Sequence, residues 1–471
     1  MRNKITIYIL IIIMLCSGFL LAGCSTTFDE EASNKLERDV YNLYEEFKPV
    51  YAEADSEYDI SSYLYNWAKK NDFVARKLAG GNLIITKPAS VADPTFPTTI
   101  IQCAMSREET KQASQRASIA LATIMNLKEN GKVGVLFTTN NDGSFTGAKR
   151  LSVEDLDSDY FIHLESGDPA AVNNGSAGTS EYEMAISYEM TEPTTTNAYQ
   201  LIISGLSDQD SSVLAGNNPN AILILSNFLI GCRASGMLVE LADFDGGNDA
   251  GTYPGSAKAT FVINQNNEAR LLARFATSLE NFQKKYADDF PEAILSLTNA
   301  STPKAVINND DAANILSLLY TTINGVYKTS EDNGGGTTLA VANIGKLTTK
   351  ANKMKVNILA RSVDETVLNE MTEAYHATAY LSDATFRIVN QTSIWPFDPE
   401  QAFSKDFIQI AKEVGLEKLS ISPTFIMSEC AIFYEKKKDI NMISFSVNNN
   451  DSFMDAKTLL FYITSLVHSP S

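Results

Sequence analysis

Two short apolar segments, Thr99–Cys103 and Val133–Thr138, constrain the fold of this chain more than any other feature. Each has the length and composition of a buried strand, and a helical segment around Ala117–Leu127 separates them. A strand, a helix and a second strand in this order predict a crossover between parallel neighbours. We therefore expect an α/β protein with a largely parallel sheet.

The length of 471 residues exceeds what one hydrophobic core usually holds, so two domains are expected. The middle third of the sequence has a different pattern of predicted elements. It predicts a helix over Asn267–Tyr286 and a half-buried strand over Lys353–Val363, after a polar, Thr-rich connection at Thr191–Ala198. Strands and helices mixed in this way indicate an α+β domain.

The first residues read as an export leader. Arg2 and Lys4 precede an apolar run that ends near Leu20, which is too short to favour a membrane-spanning helix. Leu21-Ala22-Gly23-Cys24 follows, the form of a lipoprotein signal-peptidase site. The sequence therefore predicts a lipid on Cys24 and a protein held at the extracytoplasmic face of a cell membrane. An ordinary secretory signal that ends in cysteine by chance is the alternative.

The charge balance argues against a nucleic-acid partner. The chain has 38 Lys and Arg against 57 Asp and Glu, and loss of the leader leaves a net charge of about −21. Phosphate backbones need a basic surface, which this composition does not supply. Only three cysteines remain beyond the leader and the lipidation site, so disulfides are not expected to organise the fold.

Three segments carry a resemblance to a known family: Thr99-Ile-Ile-Gln-Cys-Ala-Met-Ser106, Val135-Leu-Phe-Thr-Thr-Asn-Asn-Asp-Gly-Ser-Phe-Thr-Gly-Ala148 and Asp159-Tyr-Phe-Ile-His-Leu-Glu-Ser166. They resemble the aminoacyl-histidine dipeptidase (carnosinase-like) family of di-zinc exopeptidases. In that family the corresponding segments contain Gln-Ala-His-Leu-Asp, Thr-Glu-Glu-Ala-Gly-Met-Asp-Gly-Ala and Asn-Thr-Asp-Ser. Ser428-Glu-Cys-Ala-Ile-Phe433 is close to the family's Leu-Glu-Cys-Gly-Leu-Phe.

The resemblance implies an α/β exopeptidase-like catalytic domain that is interrupted by an α+β lid domain. We predict a leader at 1–23 and a tether at 24–35. The two halves of the exopeptidase-like domain are predicted at 36–190 and 381–471, with the lid at 191–380. The sequence gives no indication of an oligomeric state.

Most positions that match the family's zinc ligands carry other residues. A zinc pair with a catalytic base needs two imidazoles, three carboxylates and a free glutamate. The first metal histidine corresponds to Ala104, and the aspartate that orients it corresponds to Ser106. The general-base glutamate corresponds to Asn141, which cannot accept a proton. The remaining ligands match as follows: Asp142 and Glu165 for two carboxylates, and the region of Phe453 for the last histidine.

The bridging aspartate corresponds to Lys111. An ammonium there could neutralise Asp142 and Glu165 as zinc does in the family. Alternatively, Lys111 is a solvated lysine at the start of a helix.

A single-metal site remains conceivable from Cys103, His163, Asp142 and Glu165. However, strand alternation places Cys103 on the opposite side from Ala104. In the lid, the family's substrate histidine corresponds to Asp210, and two substrate arginines correspond to Ala250 and Gly255.

The resemblance therefore implies a dipeptidase-like protein without an intact catalytic site. The favoured hypothesis is a surface lipoprotein that binds a peptide, a cell-wall fragment or a protein partner, without a cofactor. The alternative is a metal-dependent dipeptidase with a rebuilt site that uses zinc or manganese. The sequence contains no His-Glu-x-x-His, P-loop or Gly-x-Ser-x-Gly motif for another chemistry.

Overall fold

The computed structural model describes residues 30–93, 95–139, 145–167, 171–206, 208–212, 218–330, 336–448 and 451–468. The predicted leader and Cys24 lie outside these ranges, as do Asn141 and Asp142. Within the ranges, none of the helices combines the length and the apolar character needed to cross a bilayer.

The helices are α1 Glu30–Glu53, α2 Glu57–Lys70, α3 Thr110–Asn126, α4 Thr146–Arg150, α5 Ala221–Ala234, α6 Glu268–Tyr286, α7 Asn309–Thr321, α8 Glu365–Leu381, α9 Ala402–Glu413, α10 Glu429–Lys436 and α11 Ser452–Ser465. The strands are β1 Val74–Lys77, β2 Leu83–Lys87, β3 Thr99–Ala104, β4 Val133–Thr138, β5 Tyr160–Gly167, β6 Ala171–Ser176, β7 Gly178–Ser187, β8 Met190–Thr191, β9 Asn197–Ser204, β10 Val239–Gly246, β11 Ala257–Ile263, β12 Ile294–Ala300, β13 Val306–Ile307, β14 Gly325–Thr329, β15 Thr338–Lys350, β16 Lys353–Ser362, β17 Thr385–Gln391, β18 Ile421–Thr424 and β19 Met442–Asn448.

One domain, which we call the body, is built on an eight-stranded sheet in the order β1-β2-β4-β3-β5-β19-β6-β18. Its centre is parallel: β3 pairs with β4 and β5, and β5 pairs with β19. Every residue of β3 and β4 is buried, because α3 and α1 cover one face while α4 and α10 cover the other. The α/β class predicted from these two strands is confirmed.

The helix α1 shows how the sequence pattern positions the outer layer of the body. Leu36, Val40, Leu43 and Phe47 recur at helical spacing, and all four are buried. Their face packs on α3, so that α3 is buried on nearly every side. A charged residue on α3 beyond its exposed first turn therefore cannot reach solvent by a simple rotation.

The second domain, the lid, is built on an antiparallel sheet in the order β12-β9-β11-β10-β15-β16-β7-β17, with β14 added beside β15. The predicted alternation in β16 is present: Met354, Val356, Ile358 and Ala360 are fully buried beneath α8 and its neighbours. The predicted α+β character of this insert is therefore confirmed.

The lid extends further along the chain in both directions than 191–380. Strand β7 pairs with β16 and β17, so Gly178–Ser187 and Thr385–Gln391 are both part of the lid sheet. The Thr-rich segment before β9 thus connects two parts of the lid and does not separate domains. An alternating strand buries one face in either sheet, so its pattern alone cannot assign it to a domain.

The chain passes between the body and the lid twice, and the two connecting segments lie side by side. The backbone of Ser176 exchanges hydrogen bonds with that of Trp395 in both directions, at 2.8 and 3.1 Å. A Cβ on Gly178 would approach the carbonyl oxygen of Thr392 to 2.7 Å, so only glycine fits at this contact. The body thus resumes at Trp395, later than the predicted boundary at 381.

Candidate functional site

A cleft with a cavity volume of about 390 Å³ lies between the body and the lid. On the body side it is bounded by the carboxyl ends of β3 and β5 and by the start of α10, where ligands bind in open α/β sheets. The side chains that carry its chemistry are Ala104, Glu109, Arg116, His163, Glu165, Ser166 and Glu429 from the body, with Asp210, Ser212 and Arg361 from the lid.

Ala104 and Ser106 match the family's first metal histidine and the aspartate that orients it. Neither residue provides a donor for zinc as strong as an imidazole or a carboxylate. Ala104 ends β3, is buried and lines the cleft. Ser106 is buried two residues later, and its hydroxyl accepts a hydrogen bond from the backbone N–H of Glu109 at 3.2 Å. Ser106 therefore fixes the turn that leads into α3.

A buried hydrogen-bond network links the ends of the central strands. The Gln102 amide nitrogen donates to the hydroxyl of Thr138 at 2.8 Å and to the carboxylate of Glu429 at 2.9 Å. Thr138 donates to the same Glu429 oxygen at 2.9 Å, and the Gln102 carbonyl oxygen contacts Nδ1 of His163. Because that oxygen can only accept, Nδ1 carries the proton in the neutral ring.

The surroundings of these two residues set their protonation. Burial, together with the nearby Arg116 guanidinium, lowers the pKa of His163 to about 3, so the ring is neutral at physiological pH. Burial raises the pKa of Glu429 to about 7, although hydrogen bonds from Thr138 and Gln102 oppose the rise. The body side of the cleft therefore contains one neutral imidazole and one carboxyl that titrates near neutrality.

The cation beside Glu165 is Arg116, a residue to which the sequence analysis assigned no role. Its side chain is only 3% exposed, and Nη1 contacts the hydroxyl of Ser166 and lies 3.6 Å from the carboxylate of Glu109. Burial raises the pKa of Glu165, and the Arg116 charge works against that rise, as does a hydrogen bond from Ser444. Arg116 thus supplies positive charge next to Glu165.

Lys111 does not occupy the position of the zinc pair. It is exposed at the start of α3, and it forms no salt bridge with Glu165 or with any other carboxylate in the described ranges. The geometry matches the second interpretation given above, a solvated lysine in the first turn of a helix. The interpretation that the Lys111 ammonium neutralises Glu165 in place of zinc is therefore wrong.

The other candidate metal positions are not brought together. Cys103 points away from the cleft into the body core, where its sulfur lies 3.6 Å from the Arg116 carbonyl oxygen and burial raises its pKa to about 12. Phe453 packs against the body core in α11. Across the described ranges, His, Cys, Asp and Glu residues form no group of three or more that could hold a metal ion. The predicted ligand Asp142 and the position Asn141 lie outside the described residues.

The segment before Asn141 and the segment after Asp142 are held together by Asn82. Its side chain donates to the carbonyl of Gly147 at 2.9 Å and accepts from the backbone N–H of Thr139 at 3.0 Å. A Cβ on Gly147 would lie 2.2 Å from the Thr139 carbonyl oxygen. This close approach explains why the Gly-Ala at the end of the second motif is present at Gly147-Ala148.

In the lid, Asp210 forms a salt bridge of 3.3 Å with Arg361, which lies near the end of β16 and is 8% exposed. Ala250 and Gly255 serve the loop structure: the carbonyl of Ala250 accepts from Asn343, and the N–H of Gly255 donates to Asp208. Arg361, like Arg116 and Glu429, was missed as a site residue. For Arg116 the available signal was a lone arginine in the Ala- and Ser-rich segment 113–122.

No family model matches the chain. In sequence it is 22% identical over 428 residues to the cytosol non-specific dipeptidase of Escherichia coli K12, covering 82% of this chain and 87% of that protein. This similarity extends across both domains. The chain is a homologue of a dipeptidase. The resemblance inferred from the motifs is therefore confirmed at the level of a dipeptidase relative.

The solved structures agree on the fold. Aminoacylhistidine dipeptidase from Vibrio alginolyticus superposes with a TM-score of 0.78 at 19% identity, covering 94% of this chain and 99% of that one. A tripeptidase from Staphylococcus aureus superposes with a TM-score of 0.51 at 12% identity, covering 92% and 99%. The arrangement of an exopeptidase-like body and an inserted lid is thus confirmed.

Proposed function

We propose that this protein is a lipid-anchored, extracytoplasmic protein that binds a peptide-type ligand in the cleft of a dipeptidase-like fold without hydrolysing it. The observation that carries the proposal is the buried guanidinium of Arg116 on the body side of the cleft, which Ala104 also lines. A di-zinc exopeptidase needs imidazole and carboxylate donors at this wall. Here Ala104 supplies a methyl group in place of a donor, and Arg116 adds a permanent positive charge beside Glu165.

The donor set does not fit a zinc pair. His163 could offer a metal only its Nε2, because its Nδ1 hydrogen is donated to Gln102, and the positive charge of Arg116 lies close enough to act on the ring. The same guanidinium would repel a divalent cation at Glu165. The described residues of the cleft also lack a second imidazole. We therefore derive no metal-dependent step for this chain.

The size and shape of the cleft favour a small ligand. A volume of about 390 Å³ lies at the lower end of the range for small-molecule sites, which suits a dipeptide or a short cell-wall fragment. A whole protein partner would have to insert a chain terminus. Among the three ligand classes expected from the sequence, a short peptide or peptide-like fragment is therefore the one that we propose.

The proposed anchor rests on the leader and Cys24. Of the predicted tether at 24–35, residues 30–35 are already part of α1. In cells, Cys24→Ala should release the protein from the membrane fraction, because the lipid is the proposed means of attachment. Fractionation with a salt wash measures this. Cys232→Ala, which changes a buried lid cysteine, is the matched control and should remain membrane-bound. Retention of Cys24→Ala would contradict the anchor.

One observation favours the alternative, a metal-dependent hydrolase that works through a rebuilt site with Asp142 and Glu165. Glu429 lines the cleft with a pKa of about 7, which suits a general base near neutral pH. Release of amino acids from a dipeptide panel, with zinc or manganese added, separates the two functions. The E. coli dipeptidase serves as the positive control. Turnover by this chain above background would overturn the proposed lack of catalysis.

A further inference from the structure

The buried polar atoms of the cleft that have no hydrogen-bond partner are mostly donors. Among the described residues that line it, these atoms are Nε and Nη2 of Arg116, Nε of Arg361 and Oε1 of Glu429. Buried N–H groups are rarely left without an acceptor, because each one gives up its hydrogen bonds to water. An excess of donors around one cavity indicates a ligand rich in acceptors.

The two arginines belong to different domains and face the same cleft. Arg116 is 3% exposed on the body side and Arg361 is 8% exposed on the lid side. A guanidinium binds a carboxylate through a planar fork of N–H donors. Arg116 uses only Nη1. Arg361 uses Nη1 on the Phe425 carbonyl oxygen and Nη2 on Asp210, both at 3.3 Å, and its buried Nε has no partner among the described residues. Each arginine thus retains donors for an incoming carboxylate.

The carboxylate partners of both guanidiniums are weakly held. Glu109 is 54% exposed and lies 3.6 Å from Arg116, whereas Asp210 is 59% exposed and lies 3.3 Å from Arg361. Exposed carboxylates at such distances form weak, salt-sensitive pairs. They can swing into solvent when a ligand carboxylate with better geometry enters.

We infer that the cleft is selective for a small ligand with two carboxylates, one held by Arg116 from the body and the other by Arg361 from the lid. This inference rests on the proposed function, since it names the ligand class of the same cleft. Acidic dipeptides have the required groups, and their size suits the cavity. Burial favours the protonated forms of Glu165 and Glu429, which limits their repulsion of the ligand.

The test is calorimetric titration of the purified full chain, solubilised in detergent, with three matched peptides. L-Ala-L-Glu has two carboxylates, L-Ala-L-Gln has one, and L-Ala-L-Gln amide has none. Each carboxylate should tighten binding by about 10- to 100-fold, the usual effect of a charge-assisted hydrogen bond. Arg116→Gln should abolish the preference for Ala-Glu over Ala-Gln, and so should Arg361→Gln.

Arg387→Gln is the control, because Arg387 is an exposed arginine of the lid that pairs with Glu183 outside the cleft. It should bind all three peptides as the unchanged protein does. Equal affinity for Ala-Glu and Ala-Gln, no binding of either, or an unchanged preference in folded Arg116→Gln would overturn the inference. If Arg116→Gln fails to fold, Arg361→Gln and the peptide series decide the matter.

Recovery of the peptides after titration separates this inference from the proposed function. Intact peptides without a two-carboxylate preference would overturn only the ligand class. Cleaved peptides would contradict the lack of catalysis, while the affinity ratios would still report on the two arginines.

Discussion

Replacing Arg116 by Met tests whether this buried guanidinium serves the fold or the cleft. Met has a similar length and no charge, so it can occupy the same space on α3. The change removes the contact with Ser166 and the 3.6 Å pair with Glu109. It also removes two buried N–H groups, Nε and Nη2, that have no partner among the described residues.

The contributions to the free energy of unfolding favour Met over Arg at position 116. The lost hydrogen bond to Ser166 contributes about 1.5–3 kcal/mol, and the pair with the exposed Glu109 contributes at most about 1 kcal/mol. Each unpartnered donor costs about 1–3 kcal/mol. We therefore expect Arg116→Met to leave the free energy of unfolding unchanged or to raise it by up to about 2 kcal/mol. Such a gain is typical of residues retained for binding at the expense of stability.

Urea unfolding followed by circular dichroism measures this change. Lys111→Met is the matched control, because it removes the same charge from the same helix at an exposed position, and it should alter stability by less than about 0.5 kcal/mol. A loss of 3–5 kcal/mol in Arg116→Met would refute the reasoning, since it would show that the guanidinium compensates a buried carboxylate.

Three further predictions follow from the same contacts. Because burial raises the pKa of Glu429 from 4.5 to about 7, its contribution to stability is lost as the pH rises through this window, by roughly 3 kcal/mol. Glu429→Gln should lack this dependence in denaturant unfolding at pH 4.5–8, and a parallel pH profile would contradict the assignment. Gly147→Ala should destabilise the protein by about 1–3 kcal/mol, because the new Cβ would lie 2.2 Å from the Thr139 carbonyl oxygen; an unchanged urea midpoint would refute this. A chelator should leave the melting temperature unchanged, whereas a drop reversed by zinc would show that a bound metal stabilises the native state.

The sequence was sufficient for the central fold because its signals there are local. Thr99–Ala104 and Val133–Thr138 are mostly apolar runs, and strands of this composition are typically buried on both faces. The lid boundaries were less accessible. The face that β7 buries is specified by alternation, but the sheet that it joins is decided by pairing with β16, some 170 residues further along the chain.

The site was predicted only where a residue could be judged from its own position. Ala104 cannot ligate a metal in any environment, so its presence in the cleft carries the same meaning in sequence and structure. Arg116 could be recognised as a site residue only from the tertiary structure. Because α3 is buried on nearly all sides, helical periodicity does not reveal which residue turns toward the cleft. Arg361 comes from the other domain, and only the tertiary structure places it in the same cleft.

Metal content tests the central claim most directly. The mature, tag-free protein should be purified without chelators, incubated with zinc and with manganese, dialysed and measured by elemental mass spectrometry. The E. coli dipeptidase should be treated identically. We expect well under one ion per chain, because the charge of Arg116 acts on Glu165 and the described part of the cleft has a single imidazole. One or two tightly held ions per chain would contradict it and restore the metal-dependent hydrolase as the function.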